Sequence, residues 1–128
     1  NRDTVPKFIY DKFVSVCERG YEAIKHAMDL NIPIGGGSDL TGDNTKYASG
    51  AIAYQAKAQG AMKAIVSFTK INAQILGIDK ETGTIESGKL ADILLLKGNP
   101  FENINLFKNH HDNILFIMQG GAIYKKII

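Results

Sequence analysis

The stretch Asn31-Ile32-Pro33-Ile34-Gly35-Gly36-Gly37-Ser38-Asp39 restricts the fold of this chain more than any other. Ile32, Pro33 and Ile34 form a short apolar run that reads as a buried strand. Three glycines, a serine and an acid follow, so Asp39 falls just past the strand's carboxyl end. In α/β architectures, side chains at that face meet substrate, because a rigid sheet holds loops that are free to vary. The glycines let the backbone pass close to something, a metal or a neighbouring strand. A tight turn carrying a solvated aspartate is the plain alternative.

Helices flank this strand. Thr4 and Pro6 mark a helix start. Phe8, Ile9, Phe13, Val14, Cys17, Tyr21, Ile24 and Met28 then recur at spacings near three and four. They predict one amphipathic helix, or two broken near Gly20, closed by Asn31. Cys17 falls within that apolar stripe and reads as a buried thiol. His26 shares the polar face with Glu22, Lys25 and Asp29 and reads as a surface or half-buried residue. After a polar loop, Asn44 or Thr45 can cap a helix over 46–58. A third helix over 61–76 ends at Gly77, placed for the left-handed conformation.

From Ile78 the chain reads as strands and turns. Thr82-Gly83 and Ser87-Gly88 are turn signals. Ile93-Leu94-Leu95-Leu96 does not alternate and predicts a strand covered on both faces. Ile104 and Leu106 face one way in a short segment. His110 and His111, read as neighbours in a strand, point to opposite sides and make poor joint ligands for a metal. Residues 113–118 and 122–128 are strands joined by a hairpin at Gln119-Gly120-Gly121. The sum is helix–strand–helix–helix and then about four strands. A lone strand among helices needs parallel neighbours, so this chain docks onto further chain or onto a second copy.

Charge and composition exclude several classes. The formal net charge is +2 and no basic run exceeds Lys125-Lys126, which argues against nucleic acid and anionic membranes as partners. No apolar run approaches the ~18 residues of a membrane span. The single cysteine rules out an intrachain disulfide and fits a reducing, cytoplasmic setting. Gly35-Gly36-Gly37 lacks the lysine of a P-loop and the spacing of a dinucleotide fingerprint.

Six pieces in order carry a resemblance: Gly37-Ser38-Asp39, Thr69-Lys70-Ile71-Asn72-Ala73, Leu76-Gly77-Ile78, the stretch from Gly83 to Asp92, Gly98-Asn99-Pro100 and Gly120-Gly121-Ala122-Ile123-Tyr124. Together they resemble the C-terminal part of the amidohydrolase superfamily, most similar to its imidazolonepropionase-like and Xaa-Pro dipeptidase-like branch. The resemblance runs from about Tyr21 onward, and the stretch from Gly83 to Asp92 is its most specific part.

The resemblance implies an α/β fold: the end of a metal-dependent (β/α)8 barrel (a TIM barrel) over residues 1–77, and strands of a small β-sandwich over 78–128. Residues 32–36 would be the eighth barrel strand. Asp39 matches the family's aspartate at the end of that strand, which ligates or adjoins a divalent metal, zinc being the first candidate, and takes the proton of the attacking water. Leu40, Thr41, Asp43 and Asn44 follow it and are weak candidates for substrate contact. The substrate implied is a dipeptide or a cyclic amide. The family's other metal ligands lie upstream, and His26, His110 and His111 fall outside the matching positions. A barrel of this type needs ~250 residues, so the expectation is a C-terminal fragment, inactive alone, partnered by the missing N-terminal part or by a second copy. Lys89, Asp92, Thr69 and Asn72 read as structural. A non-catalytic folding or oligomerisation module derived from the family is the alternative function.

Overall fold

The computed structural model describes residues 5–128. Thr4, the expected capping hydroxyl, lies outside them. Helix α1 (Lys7–Asp29) starts directly after Pro6, whose carbonyl accepts from the N–H groups of Ile9 and Tyr10 at 3.0 and 3.2 Å. It runs unbroken through Gly20. Asn31 takes the left-handed φ of 54°. The N–H of Asn31 then reaches Met28 O, and that of Ile32 reaches Ala27 O, at 3.0 and 2.8 Å. This is the paired closure by which a helix satisfies its last carbonyls, and it places Ile32 at the start of the glycine stretch.

The second half of the helical layer departs from the expected boundaries. Gly42–Gly50 is a 3-10 helix, and α2 covers only Ala51–Gln59. Thr45 does not cap: its hydroxyl donates back to Gly42 O at 2.9 Å, inside a turn tighter than an α-helix. Gly60, at φ 82°, both ends α2 and precedes α3 (Ala61–Val66). A π turn (Ser67–Ile71) and α4 (Asn72–Leu76) continue the same axis, so the helix expected over 61–76 exists with one widened turn. Thr69 sits in that turn and donates to Ile65 O at 2.7 Å. Gly77 closes α4 at φ 70°, with Gly77 N to Gln74 O at 3.1 Å and Ile78 N to Ala73 O at 2.9 Å.

Three strands follow where about four were expected: β1 (Ile93–Leu96), β2 (Ile114–Gln119) and β3 (Ala122–Lys126), antiparallel in the order β1-β2-β3. Ile93 pairs with Met118 and Leu95 with Phe116, and a bulge falls between Leu95 and Leu96. Gln119 faces Ala122 across a two-residue turn, in which Gly120 and Gly121 have φ of 55° and 84°. Positive φ at both central positions matches the twist of a hairpin. The Ile93–Leu96 strand is not covered on both faces: Leu94 and Leu95 are 49% and 43% exposed. Residues Ile104–Phe107 form a 3-10 helix rather than a one-sided extended segment. His110 and His111 open α5 (His110–Asn113), so their rings do not diverge as in a strand but lie 4.1 Å apart.

Side-chain bonds tie the hairpin to the loop after α4. Asp92 accepts from Gly120 N and from the Thr82 hydroxyl, both at 2.7 Å. These bonds, the backbone one first, hold its carboxyl below the usual aspartate value. Glu86 is lowered in the same sense, first by the Thr84 hydroxyl and then by the Lys89 ammonium. Lys89 donates to Thr84 Oγ1 at 2.5 Å and stands 3.7 Å from Glu86. Lys89 and Asp92 thus act as fasteners, as their sequence position suggested.

The core is thin. Ile52, Ala53, Ala64, Ala73 and Ile114 are its buried apolar residues, and among the described residues no large side chain is fully buried. Much of α1 shows apolar surface, including Phe8, Phe13 and Val16. Cys17, expected inside, is exposed, as are Phe13 and Val16 near it on α1. An open apolar groove of about 910 Å³ runs between helices and sheet, lined by Ile52, Phe68, Leu76, Ile93 and Met118 among others. Among the described residues no helix is long and apolar enough to cross a membrane.

Candidate active site

The glycine stretch is not a paired strand. Residues 32–41 join no ladder among the described residues, since the neighbouring strands such a segment needs are not present. Side chains take their place. The Asn72 amide donates to Gly36 O and accepts from Gly36 N, each at 2.9 Å. Gln55 of α2 donates to Gly35 O at 3.3 Å. The backbone is held from two helices, by groups that reproduce the donor and acceptor of a strand edge.

The glycines are explained by what lies behind them. A Cβ on Gly36 would come within 2.2 Å of the Phe68 ring, and one on Gly35 within 2.7 Å of Asn72 Oδ1 and Ile75 Cδ1. The close neighbour of Gly35 and Gly36 is therefore a helix. Gly37 has nothing within 4 Å of its Cβ position.

Asp39 follows two residues later, exposed and at the left-handed φ of 51°. That region costs most non-glycine residues about 1–3 kcal/mol, less for aspartate and asparagine, whose short polar side chains tolerate it. Its carboxylate has no hydrogen bond or ion pair among the described residues. Its sequence neighbours Ser38 and Leu40, though not Asp39 itself, line a cleft of about 300 Å³ together with Asn44, Tyr47, Ala51 and Tyr54. Leu40 and Asn44, named from sequence, belong to this wall; Thr41 does not. Tyr47 and Tyr54 went unnoticed in the sequence, although their spacing of seven puts both on one helical face. Lys57 and Lys108 place their ammonium groups 5.2 and 5.0 Å from the Tyr54 ring centroid, within cation–π range.

A metal centre needs several converging donors. Among the described residues no group of three or more His, Cys, Asp and Glu converges in that way. His26 is exposed on α1, and His110 shares a hydrogen bond of 3.2 Å with Ser49.

The structure superposes on a prolidase complexed with N-methylphosphonate-L-proline, with a TM-score of 0.83 and 28% identity over 96% of this chain and 30% of that one. It superposes on a Xaa-Pro dipeptidase with methionine bound in the active site, with a TM-score of 0.78 and 30% identity over 94% of this chain and 29% of that one. Ochratoxinase from A. niger shares the fold, with a TM-score of 0.76 and 21% identity over 97% of this chain and 29% of that one. The chain thus spans under a third of each of these proteins. No curated relative matches it. The model of the amidohydrolase family matches residues 4–128, nearly the entire sequence, and the chain belongs to that family.

Proposed function

We propose that this chain is the C-terminal part of a metal-dependent amidohydrolase that cleaves the amide bond of a small substrate, a Xaa-Pro dipeptide before a cyclic amide. Residues 1–77 end the barrel and 78–128 contribute to the sandwich. The observation that carries this reading is the placement of Asp39: an exposed carboxylate at a left-handed φ, at the end of a clamped glycine segment and between two residues, Ser38 and Leu40, that line a cleft. The likeness to a prolidase and a Xaa-Pro dipeptidase supports the choice of substrate.

Asp39 completes a ligand set whose other members come from outside this chain. A divalent metal, zinc first, supplies a water acidified toward neutral pH when bound. Asp39 accepts a proton from the water that attacks the amide carbon. As the C–O bond forms and the C–N bond breaks, it passes that proton to the leaving nitrogen. The cleft wall at Leu40, Asn44 and Tyr47 holds the substrate beside it.

Elemental analysis tests the division of labour. The 128-residue chain alone should carry no stoichiometric zinc, and the longer protein should carry it and lose affinity in Asp39→Ala. About one zinc per isolated chain, lost in that variant, contradicts the reading. A metal-free, inactive longer protein would favour the structural module instead.

A further inference from the structure

The two-point bond between Asn72 and Gly36 does more than hold a helix to a loop. We propose that Asn72 is a positioning residue for Asp39. The inference rests on the catalytic reading of Asp39 given above.

The geometry runs in three steps. Asn72 fixes both polar backbone atoms of Gly36, its N–H and its C=O, at 2.9 Å each. One amide meeting both groups sets the orientation of the peptide as well as its distance. Gln55 adds a third bond to Gly35 O. The Phe68 ring fills the space where a Cβ at Gly36 would stand, so the segment cannot sink toward the helix. Only Gly37 and Ser38 separate this anchored point from Asp39.

Downstream the chain turns into regular structure. The 3-10 helix begins at Gly42, which has a φ of 58°. Asp39 thus sits in a short span between the clamped Gly36 and the 3-10 helix, in a left-handed conformation that few residues besides glycine, asparagine and aspartate adopt. Releasing the upstream anchor lets that span relax toward negative φ and carries the carboxylate away from the reacting atoms. A displacement of about 1 Å at such a group can cost on the order of 100-fold in rate.

Asn72 has no role in the chemistry itself: it lies on α4 with its amide committed to Gly36. Removing it should slow turnover without weakening substrate binding, whereas a residue that only stabilised the fold would lower activity in proportion to the folded fraction.

The experiment uses the longer protein with an Xaa-Pro dipeptide, comparing wild type, Asn72→Ala and the isosteric Asn72→Asp. Asn72→Asp keeps the volume and one acceptor but loses the donor to Gly36 O, so it reads the clamp even where the alanine variant fails to fold. Three quantities are measured on folded protein: kcat and KM separately, hydrogen exchange at the Gly36 amide, and the Asp39 amide-to-α-proton coupling, which reports φ. The expected result is a fall of about 10- to 100-fold in kcat, KM within about twofold, and a changed Asp39 coupling. Faster Gly36 exchange with kcat or the Asp39 coupling unchanged overturns the proposal. A wild-type protein that does not hydrolyse the dipeptide sinks the proposed function; the Asp39 coupling then still decides whether Asn72 holds that residue in place.

Discussion

The carboxylate of Asp92 accepts the backbone N–H of Gly120 at 2.7 Å across 28 residues, joining the β2–β3 turn to the approach to β1. The same carboxylate takes the Thr82 hydroxyl. Its folded pKa lies below the ordinary 3.8. A lowered carboxylate contributes stability that is fully present above 3.8 and is lost as pH falls through the folded value. Denaturant midpoints measured down a pH series should therefore fall on entering that acid range. Asp92→Ala should lower the midpoint near neutral pH and flatten the acid slope. Glu86, also lowered, leaves a residual slope that Glu86→Gln should remove.

Gly36 and Gly37 are adjacent, yet they should respond differently to the same substitution. Gly36→Ala drives a Cβ into the Phe68 ring, and overpacking of this kind costs about 1–3 kcal/mol. Gly37→Ala meets open space and should stay within about 1 kcal/mol of wild type. Urea denaturation of the two variants checks this; equal costs would mean the helix does not sit behind Gly36.

What the sequence disclosed depended on how far away each residue's partner lies. Asn31 and Gly77 were legible as helix ends because a positive φ and its two backbone bonds are local. The Gly120-Gly121 hairpin was legible for the same reason. Ile32–Ile34 reads as a strand and Cys17 as buried, and neither is so among the described residues, because an apolar pattern does not say which neighbour will meet it. Asn72 looked like a local structural residue; its partner Gly36 is 36 positions away, and no spacing rule points to it. The role proposed for Asp39 rests on family resemblance, and its left-handed φ is visible only in three dimensions.

The cleft beside Asp39 should set substrate preference. Tyr47 and Leu40 form part of its apolar wall. Tyr47→Ala in the longer protein should raise KM for dipeptides with a bulky apolar first residue by about 10-fold, on the order of 1.4 kcal/mol of lost contact, while kcat changes little. Comparing a bulky with a small first residue checks this. An equal effect on both would place the substrate side chain elsewhere.

The most direct measurement is the steady-state hydrolysis of an Xaa-Pro dipeptide by the longer protein, wild type against Asp39→Asn, at matched folded fraction and metal content. The amide keeps the size of the side chain and removes its capacity to take a proton. Loss of general-base function predicts a fall in kcat of about 100- to 10,000-fold, with the fold unchanged. Activity of Asp39→Asn within tenfold of wild type would contradict the assignment of Asp39 as the proton acceptor.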